Sequence, residues 1–214
     1  MMRILLTTVQ VPFIRGGAEF LVDNLYRALT SFHHEVEIIR IPFIEAPPTR
    51  IEDHVLVSRL LNLDDCWSGP IDLCIGLKFP AYFIPHYNKV IWMMHQHRGA
   101  YDLFNSPFCN MQDNEECREI RDMIRRADNT YLPEAKRIYT IADNVTNRLK
   151  RYNHITAKTL YHPCPDYDKF YVKEYENYIL MPSRINAAKR QLLALEAMTY
   201  VKSDIKLYLS LIHI

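Results

Sequence analysis

The first 41 residues constrain the fold more than any other stretch. Arg3 to Val9 is an apolar run of the kind that forms a buried strand. Gln10-Val11-Pro12-Phe13-Ile14-Arg15-Gly16-Gly17 then reads as a turn. After it, Leu21, Val22, Leu25, Ala28 and Leu29 fall on one face of a helix. Glu35 to Ile41 alternates charge with Val36, Ile38 and Ile39, which predicts a second strand. Strand, turn, helix and strand in that order open a Rossmann-like α/β domain with a parallel sheet. The chain has only five glycines, and two of them are adjacent in this turn.

The alternation continues along the chain. Ile51 to Leu61 reads as a helix on which Ile51, Val55, Leu56, Leu60 and Leu61 share a face. Leu73 to Gly76 and Val90 to Met94 are short apolar runs, as expected of strands covered on both sides. Ile120, Met123, Ile124 and Ala127 mark an inward helical face, with Arg118, Arg121 and Arg125 on the opposite, solvated side. Arg137 to Ile141 predicts another strand, and Val145, Leu149 and Tyr152 the helix after it. Pro163-Cys164-Pro165-Asp166-Tyr167-Asp168 can continue neither a helix nor a central strand. The domain reading is therefore 1–165 for the first Rossmann-like domain and 166–177 for a charged linker. A second, incomplete Rossmann-like domain occupies 178–208, with strands Tyr178 to Ser183 and Lys206 to Leu211 around a helix Lys189 to Met198.

Composition removes several classes of function. With 26 basic and 25 acidic side chains among 214 residues, the chain lacks the basic excess of a nucleic-acid-coating protein. No uncharged run approaches the ~18 residues that cross a bilayer, and the N-terminus has no signal-peptide pattern. A cytoplasmic location is expected. Five cysteines without CxxC spacing predict reduced thiols rather than a disulfide framework or a zinc site.

Three clusters carry chemistry. Gly16-Gly17-Ala18-Glu19 stands where the first strand hands over to the first helix, where free amides attract phosphate. It is not GxGxxG, and no acidic residue stands ready for a ribose, which disfavours a nicotinamide cofactor. His95-Gln96-His97-Arg98 follows a strand at its carboxyl end, where open α/β sheets bind ligands. The two imidazoles lack a third ligand at a recognisable spacing, so no metal site is expected. Arg184 and Lys189 flank the start of a helix and suit a diphosphate. Asp166-Tyr167-Asp168 has DxD spacing but lies in the linker rather than after a strand.

Together these segments resemble glycosyltransferase family 4, which has the GT-B plan of two facing Rossmann-like domains. The likeness rests on Pro12-Phe13 with Gly16-Gly17-Ala18-Glu19, on His95, and on Arg184 followed five residues later by Lys189. Tyr139-Thr140-Ile141-Ala142-Asp143-Asn144-Val145, Tyr161-His162-Pro163 and the Trp92 to Leu103 segment support it, so that it spans residues 1 to about 208. The resemblance implies retaining, metal-independent sugar transfer, with a nucleotide sugar as co-substrate and no resident cofactor. It implies a glycan or lipid-linked acceptor of cell-envelope or exopolysaccharide assembly, compatible with peripheral contact at the inner face of the membrane. It implies that Gly16, Gly17, Arg184 and Lys189 bind the donor diphosphate and that His95 faces the reacting sugar. Glu19, His97 and Arg98 become acceptor-site candidates. Arg190 stands where the family often has glycine.

The family's pair of sugar-binding glutamates is expected beyond Ile214, and residues 209–214 match the translation of a sequencing-library adapter. The chain is accordingly expected to be a fragment with little transferase activity of its own. Two other readings fit the residues: a non-catalytic Rossmann-like module binding a nucleotide or a partner, and a GT-B-type sugar-nucleotide epimerase.

Overall fold

The structure is a computed structural model that describes residues 1–185 and 187–210. It divides into two compact units, Met1–Pro163 and the residues from Cys164 onward. In the first unit the chain runs through β1 (Arg3–Gln10), α1 (Gly17–Ser31), β2 (Glu35–Pro42) and α2 (Arg50–Leu60). A two-residue hairpin follows, β3 (Asp65–Cys66) and β4 (Gly69–Pro70), and then β5 (Leu73–Gly76) and β6 (Lys89–Met93). The unit closes with α3 (Glu115–Tyr131), β7 (Arg137–Thr140), α4 (Asp143–Asn153) and β8 (Lys158–Thr159).

This unit is a mixed α/β domain on a six-stranded sheet, ordered β2-β1-β5-β6-β7-β8 and parallel throughout. The architecture is Rossmann-like. Each face of the sheet has its own core. On one, Leu21 and Val22 of α1 meet Ile4, Leu6, Val36, Leu77, Trp92 and Met94. On the other, helices α2, α3 and α4 pack Ile51, Ile120, Ile124 and Leu149 among Val9, Ile41, Ile91 and Met93. The chain leaves β1 toward β2 on one side and later returns to place β5 on the other. The carboxyl ends of β1 and β5 thus form the switch point at which such sheets bind ligands.

Two expected faces differ. Helix α2 buries Ile51, Val55 and Ser58, while Leu56 and Leu60 are exposed. At 100° per residue they lie about 140° and 180° round the helix from Ile51, so that only Ile51 and Val55 of the expected set point inward within the helix. Leu61 lies just past the helix and packs partly against the core. Nor is Arg125 on a solvated face: its Nε donates to the Ala100 carbonyl at 2.7 Å and its guanidinium stacks on Tyr101. Arg121 stacks on Phe104 and pairs with Asp122, and Arg118 pairs with Asp113. Strand β8 and the hairpin are too short to show a period.

The second unit contains β9 (Tyr178–Pro182), α5 (Gln191–Met198) and β10 (Lys206–Ser210), with β9 and β10 paired in parallel. Helix α5 starts at Gln191 rather than at Lys189, because Arg190 takes a left-handed conformation (φ 56°) and a separate 3-10 turn holds Ala187–Lys189. Of the segment 209–214, Leu209 and Ser210 belong to β10, and Leu211 to Ile214 lie outside the described residues. All five cysteines are free thiols. Among the described residues no helix is long and apolar enough to cross a membrane.

Candidate functional site

The carboxyl edge of the first unit's sheet is built by continuing its ladder one residue beyond the strands. Leu77 N–H donates to the Thr7 carbonyl at 3.0 Å, and Met94 N–H donates to the Leu77 carbonyl at 3.1 Å. Lys78 and His95 therefore leave neighbouring strands at the same level, beside the turn that follows β1. The Thr7 hydroxyl, fully buried, donates to the Ala81 carbonyl at 3.2 Å and ties β1 to the 3-10 turn Ala81–Phe83. Gly76 makes this close approach feasible, since a Cβ there would stand 2.8 Å from the Tyr82 backbone.

Helix α1 supplies the amides. Gln10 Nε2 donates to the carbonyls of Val11 (2.8 Å) and Ile14 (2.7 Å), folding the turn that delivers Gly16 to the helix start. Gly16 has an extended backbone and no side chain to cap the first turn. The N–H of Gly16 itself is taken: it donates to Glu19 Oε2 at 2.7 Å. The open donors are thus the amides of Gly17 to Glu19, since Phe20 N–H already donates to the Gly16 carbonyl at 3.1 Å, and a Cβ at Gly17 would meet nothing within 4 Å. Glu19 brings negative charge to this helix start, and Lys78 answers it with Nζ 3.9 Å from Glu19 Oε1.

His95 sits beside this group, partly buried, with Nδ1 2.7 Å from the Gln96 carbonyl. Burial lowers its pKa below the ordinary imidazole range, and the cations Lys78 and Arg148 push the same way. The ring is therefore neutral at neutral pH, with its proton on the nitrogen facing the carbonyl and a lone pair on Nε2. His97, by contrast, is buried against Phe79 and Phe43, with ring centroids at 5.2 and 6.5 Å. Its Nε2 lies 3.6 Å from Glu45 Oε2, an ion-pair distance rather than a hydrogen bond. That contact helps hold the Glu45 carboxyl below its usual range. Arg98 is exposed and forms a salt bridge of 2.6 Å to Asp102, which Arg148 also approaches at 3.5 Å.

Of the expected residues, Gly16, His95, His97 and Arg98 belong to connections at this edge of the first unit, and Gly17 and Glu19 to the first turn of α1. Lys78, Glu45 and Arg148 complete the set and were missed. Lys78 was open to the rule that singled out His95, as a polar residue just past an apolar strand. Glu45 lies in a loop and Arg148 in a helix, and neither leaves a local signal. Arg184 and Lys189 belong to the second unit, both exposed, in the connection from β9 to α5. There Gln191, buried, donates to Ser183 Oγ and to the Arg184 carbonyl, each at 2.8 Å, fixing the turn that carries both cations.

Among the described residues no group of three or more His, Cys, Asp or Glu side chains is placed to hold a metal ion. No protein-family model matches the chain, and no curated protein is significantly similar to it.

Proposed function

We propose that this chain is part of a retaining, metal-independent glycosyltransferase of family 4, moving a sugar from a nucleotide-sugar donor to a cell-envelope or exopolysaccharide acceptor. The observation that carries the reading is the meeting of the uncapped start of α1, Lys78 and a neutral His95 at the switch point of a parallel sheet. The departing nucleoside diphosphate gains negative charge as the glycosidic bond breaks. Fixed amides and cations are worth most at that moment, because they need no reorganisation to meet the charge. On the first unit, the amides of Gly17 to Glu19, together with Lys78, are the donors proposed for this role, and on the second unit Arg184 and Lys189 keep the diphosphate-binding role that the family resemblance implies. Gly16 contributes by leaving the helix start without a cap. His95 offers its Nε2 lone pair to a sugar hydroxyl. Glu19, Glu45, His97 and Arg98 bound the acceptor side. The GT-B plan, with the second unit on the donor side, belongs to the same proposal.

The test is transfer from a panel of nucleotide sugars to lipid-linked and free glycan acceptors, using the protein as its gene encodes it and with EDTA present throughout. Expected are a product of retained anomeric configuration and losses on the order of a hundredfold or more in His95→Ala and Lys189→Ala. Near-normal turnover in both variants removes the site assignment. Conversion of the donor with no acceptor present points instead to an epimerase, and neither reaction points to a binding module.

A further inference from the structure

Behind the His95 loop lies a polar relay, buried at Asp128 and half-buried at Asn153, that the proposed chemistry does not use. Asp128, on α3, is fully buried. It accepts hydrogen bonds from Tyr82 Oη at 2.9 Å and from Tyr101 Oη at 2.7 Å. Tyr101 Oη in turn accepts from Asn153 Nδ2 at 3.1 Å, and that same amide donates to Asn129 Oδ1 at 2.7 Å. Asn153 Oδ1 accepts from Gln96 Nε2. The last link is covalent, because the carbonyl of Gln96 is the group facing His95 Nδ1.

The direction of every bond follows from one charge. A carboxylate only accepts, so both tyrosine hydroxyls must donate to it. With its proton committed, Tyr101 can only accept from Asn153. Asn153 must then turn its NH2 to the tyrosine and its oxygen to Gln96, and Gln96 must present its NH2. The consequence shows at the end of the chain: Gln96 Oε1 is buried with no partner. A free glutamine would turn to satisfy that oxygen, so the orientation is imposed from Asp128 outward.

We infer that Asp128 is a positioning residue, which holds His95 in the tautomer protonated at Nδ1 by way of Tyr101, Asn153 and Gln96. The groups facing the carboxylate are the hydroxyls of Tyr82 and Tyr101, with the His97 imidazole farther off and Arg125 stacked on the Tyr101 ring. None of them replaces the acceptor if the carboxylate is lost. The relay spans α3, the end of α4 and the turn after β5. In this way it registers the loop of His95 against three elements rather than leaving it to backbone bonds alone. The functional weight of the inference rests on the transferase reading of His95, but its test does not.

Long-range proton–nitrogen NMR spectra of the chain labelled with 15N-histidine report the tautomer of each neutral imidazole, and His95→Gln assigns the signal. The wild-type ring is expected to carry its proton on Nδ1. Tyr101→Phe, Asp128→Asn and Gln96→Ala are each expected to lower the ratio of Nδ1–H to Nε2–H, by about fivefold for loss of one net hydrogen bond. Leu149→Ala, which removes a side chain of the same core that is not a member of the relay, is expected to lower the melting temperature and leave the ratio unchanged. The inference is overturned if Tyr101→Phe and Asp128→Asn unfold cooperatively and retain the wild-type ratio. It is overturned equally if Leu149→Ala shifts the ratio as far as they do. Because the imidazole itself is read, failure here leaves the transferase reading standing, and failure of that reading leaves this result intact.

Discussion

Asp128 holds its proton more tightly than an ordinary carboxyl: burial pushes its pKa up to about 6, against the two tyrosine hydrogen bonds that pull it down. The unfolded chain releases that proton near the ordinary value of about 3.9. Between these limits the folded state binds more protons, so this group's contribution to stability is present at low pH and lost as pH rises through about 6. Asp128→Asn removes the dependence. Urea unfolding should show the variant gaining about 2 kcal/mol on the wild type between pH 4 and pH 7.5, and a change of opposite sign would contradict the raised pKa. Gly76 is constrained in another way, by backbone rather than by charge. Gly76→Ala would set a methyl 2.8 Å from the Tyr82 backbone, which has no flexible end to move aside. A loss of about 3 kcal/mol is expected from denaturant unfolding. The glycine of this site that the spacing brought forward was Gly16-Gly17. The one at Gly76 reads in the sequence only as the end of a strand, because close packing across five residues of intervening chain leaves no local mark.

Among the elements, the succession of the longer strands and the helices along the chain was legible because each apolar run had the length and period of a covered strand or an amphipathic helix. What was not legible was which of several apolar residues the core would choose. On α2 the core takes Ile51 and Val55 and leaves Leu56 and Leu60 in solvent. Ile51→Ala should therefore cost about 3 kcal/mol, while Leu56→Lys and Leu60→Lys should change stability by no more than about 0.5 kcal/mol. Parallel denaturant titrations of the three variants check this directly. Lys89 at the start of β6 makes the complementary case. It is buried with its ammonium 3.1 Å from Glu134, which also takes a salt bridge from Arg59 at 2.7 Å. Glu134→Ala strands the buried ammonium and should cost about 3–5 kcal/mol, whereas Lys89→Met, which removes the charge together with its need for a partner, should cost far less. Equal losses in the two variants would show that packing, not charge, governs the strand start. A buried lysine of this kind looks like a strand-edge cation in sequence, and only the third dimension supplies its partner.

For the whole molecule, the two units differ in what holds them. Both hydrophobic core clusters belong to the first unit, and every buried apolar side chain among the described residues lies before residue 150. In the second unit Ile179, Leu180, Leu192 and Leu193 are exposed and Gln191 is the buried residue. A two-stranded sheet with open faces is marginal in water. Amide hydrogen exchange should therefore find the slowest protons in β1, β5 and β6, and fast exchange throughout β9 and β10. A chain ending at Pro163 should keep the melting temperature of the first unit. At this scale the sequence revealed the restart of the β-α-β rhythm and the cations of its first turn. The role of Gln191 was hidden, because a glutamine opening a helix gives no sign that it will be buried and bonded back across the turn.

The start of α1, Lys78 and His95 are proposed to form a receiving site for a diphosphate. Titrating inorganic pyrophosphate into the 15N-labelled chain, with amide and imidazole signals followed residue by residue, tests it most directly. The expected result is saturable shifts at the amides of Gly17 and Ala18 and at the ring of His95, weakened in Lys78→Met and abolished when Gly17 is replaced by proline. Shifts confined to other surfaces, or an α1 start and His95 that stay unmoved through the titration, would contradict it.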